Sequence, residues 1–192
     1  MSAQNILSVC LFAILMIMVL VRVAILRKRG IRAIVFWQTD KSDFLLMLLV
    51  FVIAYTVLAN MFGLPMWSVL IRPFWSSAVP GCVGLILCFI SIIGFALALV
   101  SFGDSFRVGI DKNKPDKLIT SGMFAISRNP LYVCFLMFFA GLFLIHNNIV
   151  ISTAVVLFAL AIHRQVLREE KFLAPHYGVE YEEYCKKVRR YL

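Results

Sequence analysis

Five apolar runs, at residues 6–26, 44–61, 81–100, 131–145 and 149–162, fill most of this chain and limit what it can fold into. Of its 192 residues 62% are hydrophobic, and a soluble domain of that size has too little interior to hide them. The mean hydropathy of +0.92 points the same way. A bilayer supplies the missing cover. Within hydrocarbon a helix satisfies its own backbone N–H and C=O groups, and the first three runs have the ~20-residue length that a spanning helix needs. The chain therefore reads as an all-α membrane protein with five transmembrane helices.

The last two runs are shorter, about 22 Å each at 1.5 Å per residue, against ~30 Å of hydrocarbon. Joined by only His146, Asn147 and Asn148, they read as a short helical hairpin. Its second arm is expected to leave the membrane as a polar helix through His163 to about Leu173, where Pro175 and Gly178 break it. Beyond that break Tyr177, Tyr181, Tyr184, Cys185 and Val188 recur at helical spacing, with Glu182/Lys186 and Glu183/Lys187 on another face. The tail is thus expected to be a cytoplasmic amphipathic helix that lies on the membrane or covers the hairpin. Ser42 and Asp43 are candidate caps for the second helix. Residues 62–80, with Pro65, Pro73, Pro80, Trp67 and Trp75, suit an interfacial loop carrying aromatic anchors. Residues 101–130 are polar and broken by Gly103, Gly109, Pro115 and Gly122, so they read as loop with short helical pieces. Two parts of one integrated domain follow: three spans in 1–100, and a polar loop, hairpin and tail in 101–192.

Charge sets the orientation. Of 19 basic residues, six lie in 22–41, five in 107–128 and seven in 164–190, which leaves Arg72 alone on the other side. All ten acidic residues fall on the basic side as well. The positive-inside rule then puts the N-terminus outside and the C-terminus inside, in a multi-pass cell membrane protein whose polar chemistry is cytoplasmic. The net charge of +9 is accounted for by topology, with no nucleic-acid partner implied. Cys10, Cys82, Cys88, Cys134 and Cys185 show no metal-type pairing, and read as small buried hydrophobes.

Two polar constellations on the inner side hold residue types that a plain span does not need. The first is the stretch 116–132. Within it Asn129 and Pro130 read as a helix start: Asn accepts a bond from a free N–H, and Pro fits the first turn. Such an N-terminus at the membrane surface suits an anionic group of a ligand. The second is 163–170, on the helix leaving the hairpin, where His163, Val166, Leu167 and Glu170 share one face and Glu169 lies beside them. The hairpin brings both constellations to the same end. Glu170 or His163 would serve as base for an amine acceptor, whereas a carboxylate or thiolate would need none. No Ser-His-Asp set, metal-ligand spacing or dinucleotide glycine fingerprint is present.

The stretch Leu118-Ile-Thr-Ser-Gly-Met-Phe-Ala-Ile-Ser-Arg-Asn-Pro-Leu-Tyr132 resembles the isoprenylcysteine carboxyl methyltransferase and phospholipid methyltransferase superfamily of integral membrane enzymes. So do Arg168-Glu-Glu-Lys-Phe-Leu173, Tyr177-Gly-Val-Glu-Tyr-Glu-Glu-Tyr184 and Val188-Arg-Arg-Tyr-Leu192, in the same order. The resemblance covers about the last 90 residues. It implies a methyltransferase that uses S-adenosyl-L-methionine at the cytoplasmic face, on a lipid-like or amphipathic small-molecule substrate. By position it implies cofactor contacts from Gly109, Asp116, Lys117, Leu118, Ile119, Phe124, Asn129 and Glu169, with Arg128, Pro130 and Tyr132 shaping the same wall.

The chain departs from the eukaryotic prenylcysteine enzymes at Phe124, where they have Tyr, and at Asn129, where they have His. Gln165 stands where they carry an Arg associated with the substrate carboxylate, so the resemblance implies an acceptor other than a prenylated cysteine. A sulfonium methyl is electrophilic already, which leaves the protein mainly to align it and exclude water. Two other readings stay open at this point: an NADPH-dependent enzyme like the membrane sterol reductases, and a non-enzymatic subunit whose basic inner face binds anionic lipids.

Overall fold

In the computed structural model, residues 2–28, 43–102 and 118–192 are described. They form helices α1 (Ala3–Lys28), α2 (Asp43–Phe62), α3 (Val79–Phe102), α4 (Pro130–Ile145), α5 (Ile149–Tyr177) and α6 (Val179–Lys187), with a 3-10 turn at Gly122–Ala125 and no strand among the described residues. Four helices are long and apolar enough to cross a membrane: α1, α2 from Phe44, α3 and α5. This is a multi-pass membrane protein. With 16 residues α4 is shorter, about 24 Å long.

The closest helix pair is α3 with α4, and small residues are what allow it. A Cβ placed on Gly84 would fall 2.5 Å from the Gly141 carbonyl oxygen, and one on Gly141 would fall 2.6 Å from that of Gly84. Along the same seam Ser91 Oγ donates to the Cys134 carbonyl at 2.5 Å and Cys88 Sγ to that of Phe138 at 3.4 Å. Ser91 thereby finds an acceptor where water is absent. Phe95, Phe138, Phe139, Phe158 and Ile162 fill the centre of the bundle, while Leu20, Phe51, Phe89 and Leu160 face outward where lipid covers them.

The hairpin turn is built as a polar plug. Asn148 Oδ1 caps α5 by accepting from the Ile151 N–H at 3.0 Å. His146 is buried, bonded through Nε2 to Ser8 Oγ at 2.8 Å and facing Asn60 Nδ2 at 3.4 Å. Trp75 does not act as a surface anchor: its ring meets Phe143 edge-on at 5.6 Å, and its backbone N–H donates to Asn147 Oδ1, whereas Trp67 stays exposed.

Three local expectations need correction. Pro175 does not end α5, which runs on to Tyr177; in the last turn a proline removes only one i→i−4 bond. The stop is Gly178, whose φ of 53° is the left-handed region that side chains avoid. Asn129 precedes Pro130 at the first position of α4, but its side chain does not cap the helix. Finally, Cys88 and Cys134 are buried, but Cys10 and Cys82 are exposed on the outer faces of their helices. Ser42 lies outside the described residues.

Candidate functional site

At the end of the bundle where α4 begins, α5 projects two consecutive carboxylates that are held in different ways. Glu169 Oε1 accepts from Tyr132 Oη at 2.6 Å and from Gln165 Nε2 at 2.9 Å. Gln165 lies one helical turn before Glu169 on the same helix, and Tyr132 lies on the first turn of α4. The hairpin thus joins residues 37 positions apart. Hydrogen bonds to a charged carboxylate are about twice as strong as neutral ones, so this contact ties the two arms firmly at their inner ends.

Glu170 turns to a cationic pair. Arg128 Nη2 lies 3.2 Å from its Oε1, and Arg190 reaches its Oε2 through Nη2 at 2.7 Å and Nε at 2.8 Å. The Arg128 and Glu170 side chains are each only 13% exposed, which shields the pair from screening by solvent. Arg128 also donates to Cys185 Sγ. Its bond to Glu170 holds the Arg190 guanidinium protonated more firmly than usual.

The segment after α6 closes this end. The Arg128 N–H donates to the Arg189 carbonyl at 3.0 Å, and the Arg190 carbonyl accepts from Asn129 Nδ2 at 3.1 Å and Ser127 Oγ at 3.4 Å. Tyr191 Oη meets His163 Nδ1 at 2.8 Å. On α6, Tyr184 Oη donates to the Phe124 carbonyl at 2.6 Å. Burial pushes the Tyr184 phenol up to about 12, so it remains a donor at any physiological pH. Burial likewise raises Tyr181, with the Glu170 charge adding to it. Tyr181, Tyr184 and Val188 face inward against Leu118, Leu173, Tyr177 and Cys185, while Glu182, Glu183, Lys186 and Lys187 are exposed. Here α6 covers the end of the hairpin.

The residues singled out in the sequence therefore separate into groups. Tyr132 and Glu169 meet directly; Arg128 and Glu170 meet directly; Asn129 touches the tail. Phe124 is buried, its ring edge-on to Phe102 at 4.9 Å, and Leu118 packs on the tyrosine cluster. Ile119 is half-buried, and His163 is exposed apart from its bond to Tyr191. Gly109, Asp116 and Lys117 lie outside the described residues. Gln165 stands out in the sequence as a departure from the eukaryotic prenylcysteine enzymes, but its bond to Glu169 is visible only in the structure. Ser127, Arg190 and Tyr191 lie within the motifs that carry the resemblance, but sequence reasoning gives them no role at this end.

As chemistry, the arrangement offers a carboxylate of fixed orientation beside a helix N-terminus. A carboxylate positioned so suits a cationic ligand, and the adjoining helix start suits an anionic group on the same ligand.

The sequence pattern of a family described as phospholipid methyltransferase matches residues 79–180. The chain is 34% identical over 97 residues to the protein-S-isoprenylcysteine O-methyltransferase of Schizosaccharomyces pombe, covering 47% of this chain and 40% of the relative. It is 35% identical over 112 residues to a probable protein-S-isoprenylcysteine O-methyltransferase of Oryza sativa subsp. indica, covering 55% of this chain and 57% of the relative. A protein of the same description from subsp. japonica matches to the same extent. The alignments thus span about half the length of these curated relatives.

Proposed function

The chain belongs to the phospholipid methyltransferase family, and from that premise we propose that it is an S-adenosyl-L-methionine-dependent methyltransferase acting on a lipid-like substrate at the cytoplasmic face. The observation that carries the reading is the tie of Tyr132 and Gln165 to Glu169 across the hairpin. It puts a carboxylate of fixed orientation next to the start of α4, in the part of the chain that the family pattern covers. When bound, S-adenosylmethionine supplies a methyl group made electrophilic by a sulfonium.

The residues fit such a group. Glu169 answers its positive charge: at ~5 Å and an effective dielectric of ~20, a pair of opposite charges gains about 3 kcal/mol before desolvation. The first turn of α4 would hold its carboxylate, with the second amide hydrogen of Asn129, beyond the one given to the Arg190 carbonyl, as a further donor. Leu118, Ile119 and Phe124 would give the apolar wall; Gly109, Asp116 and Lys117 are further contacts only by the resemblance. Glu170 holds Arg128 and Arg190 in place and so shapes the floor, and His163 with Tyr191 is the remaining base within reach. Because the methyl donor is pre-activated, these groups mainly orient the partners and exclude water.

The charge distribution supports five spans, N-terminus outside and the site inside, with α4 as the short fifth span. The acceptor is an amphipathic molecule that enters from the lipid. Gln165 is neutral, and its amide is committed to Glu169, so it offers an acceptor's carboxylate neither a cation nor a free donor from that bond; this favours an acceptor other than the prenylated cysteine in the relatives' names. Incubation of the purified protein with methyl-labelled cofactor and a lipid extract of its host tests the reading. A labelled lipid product is expected, formed faster than product from a farnesylcysteine analogue. No methyl transfer to any lipid fraction would contradict the activity, and preferred turnover of the farnesylcysteine analogue would contradict the acceptor.

A further inference from the structure

At the opposite end of α4, about 24 Å from this site along the helix, the bundle holds a second polar space. It has a volume of 210 Å³, many times the ~10–15 Å³ that one water site needs. Asn5 of α1, Asn60 of α2, Ile71 and Pro73 of the α2–α3 loop, and the turn residues 146–148 line it. Asn147 and Asn148 are buried, only 8% and 2% exposed.

The hydrogen-bond directions around the space are fixed. Asn148 Oδ1 accepts from the Ile151 N–H and Asn147 Oδ1 from the Trp75 N–H, so each amide turns its NH₂ the other way, and neither NH₂ has a partner among the described residues. Ser8 Oγ donates to the Asn5 carbonyl at 2.8 Å, so it accepts from His146 Nε2–H; His146 Nδ1 then faces the Asn60 NH₂. Among the described residues Asn60 Oδ1 is left as an acceptor and the Asn5 side chain makes no hydrogen bond. The lining therefore offers amide donors and amide acceptors together, with no charged side chain. Burial holds His146 neutral, its pKa lowered to about 4. Arg72, between Ile71 and Pro73, is exposed and does not line the space, so a charged ligand would find no counter-charge within it, and an apolar one would leave the buried amides unpaired. Hydroxyl groups, each a donor and an acceptor, satisfy both kinds of wall.

We infer that this space is a binding site for an uncharged polyol head, carried either by a membrane lipid or by a free sugar-like molecule. The test is native mass spectrometry of the full chain released from nanodiscs that contain phosphatidylcholine with equal fractions of monoglucosyl diacylglycerol and phosphatidic acid. The glucolipid is expected to be retained about tenfold over the other two. Asn5→Phe fills the space without removing a hydrogen bond, and Ile71→Trp fills it from the loop; each is expected to abolish the preference while leaving elution volume, unfolding temperature and methyl transfer unchanged. Displacement of the glucolipid by methyl glucoside would support a free polyol as the occupant, and no displacement would support the lipid. Preferred retention of phosphatidic acid, equal retention by wild type and both variants, or no polyol binding by folded wild type would overturn the inference.

Discussion

Glu169 and Glu170 are adjacent in sequence and do different work. Glu169 accepts hydrogen bonds from Tyr132 and Gln165, whereas Glu170 pairs with Arg128 and Arg190. Glu170→Gln is therefore expected to free the tail and lower stability by on the order of 2 kcal/mol, between the values for surface and buried ion pairs, since Arg190 is 38% exposed. Chemical unfolding followed by the signal of the C-terminal tyrosines checks this. A second residue-scale prediction concerns His146. Its folded pKa of about 4 lies below the ordinary 6.5, so its contribution is complete above pH 6.5 and is lost as pH falls toward 4. That loss amounts to on the order of 3 kcal/mol. The facing groups are Ser8 and Asn60, neither of which titrates in this range. Thermal unfolding of wild type is expected to shift down across that window, and that of His146→Gln to stay nearly flat; parallel curves would exclude His146 as the cause.

Among the elements, the α3–α4 seam is the most sensitive. Gly141→Leu places atoms where the Gly84 carbonyl and Cys88 Sγ stand, so the helices must separate along their length. Loss of folded, monodisperse protein is expected, measured by size-exclusion chromatography in detergent. How much of this was legible beforehand depends on whether the cause is local. The long apolar runs dictate α1, α2 and α3 by themselves, and their ends fell within two or three residues of expectation. The hairpin also followed from the sequence, because a three-residue link leaves no other path. The two asparagines at helix starts mark the limit. Asn148 caps α5 as its local pattern predicts, but Asn129 gives its amide to the Arg190 carbonyl 61 residues away. No local rule shows that competitor. The tail helix and its place over the hairpin were among the expectations, but its particular partners at 124–129, 163 and 170 were not legible, since they are set by tertiary contact rather than by spacing.

For the whole molecule, charge makes a prediction independent of the site. In a variant without native cysteines, single cysteines placed near Gln4 and near Leu192 are expected to label from opposite sides of sealed vesicles; labelling of both from one side would exclude five spans. The central claim is that the stretch before α4 and the inner end of α5 form one cofactor site. Asn129→Ala and Glu169→Ala each remove one polar contact worth roughly 1.5–3 kcal/mol when the partner is charged, so each is expected to weaken cofactor binding about 10- to 100-fold. Neither opens an apolar cavity, so both variants stay folded. Glu183→Ala is the control, because Glu183 is exposed on α6 and makes no ion pair among the described residues. The decisive measurement is calorimetric titration of these folded proteins with S-adenosylhomocysteine. The account predicts micromolar-range binding by wild type and Glu183→Ala and a 10- to 100-fold loss in both Asn129→Ala and Glu169→Ala; wild-type affinity in those two variants would contradict it.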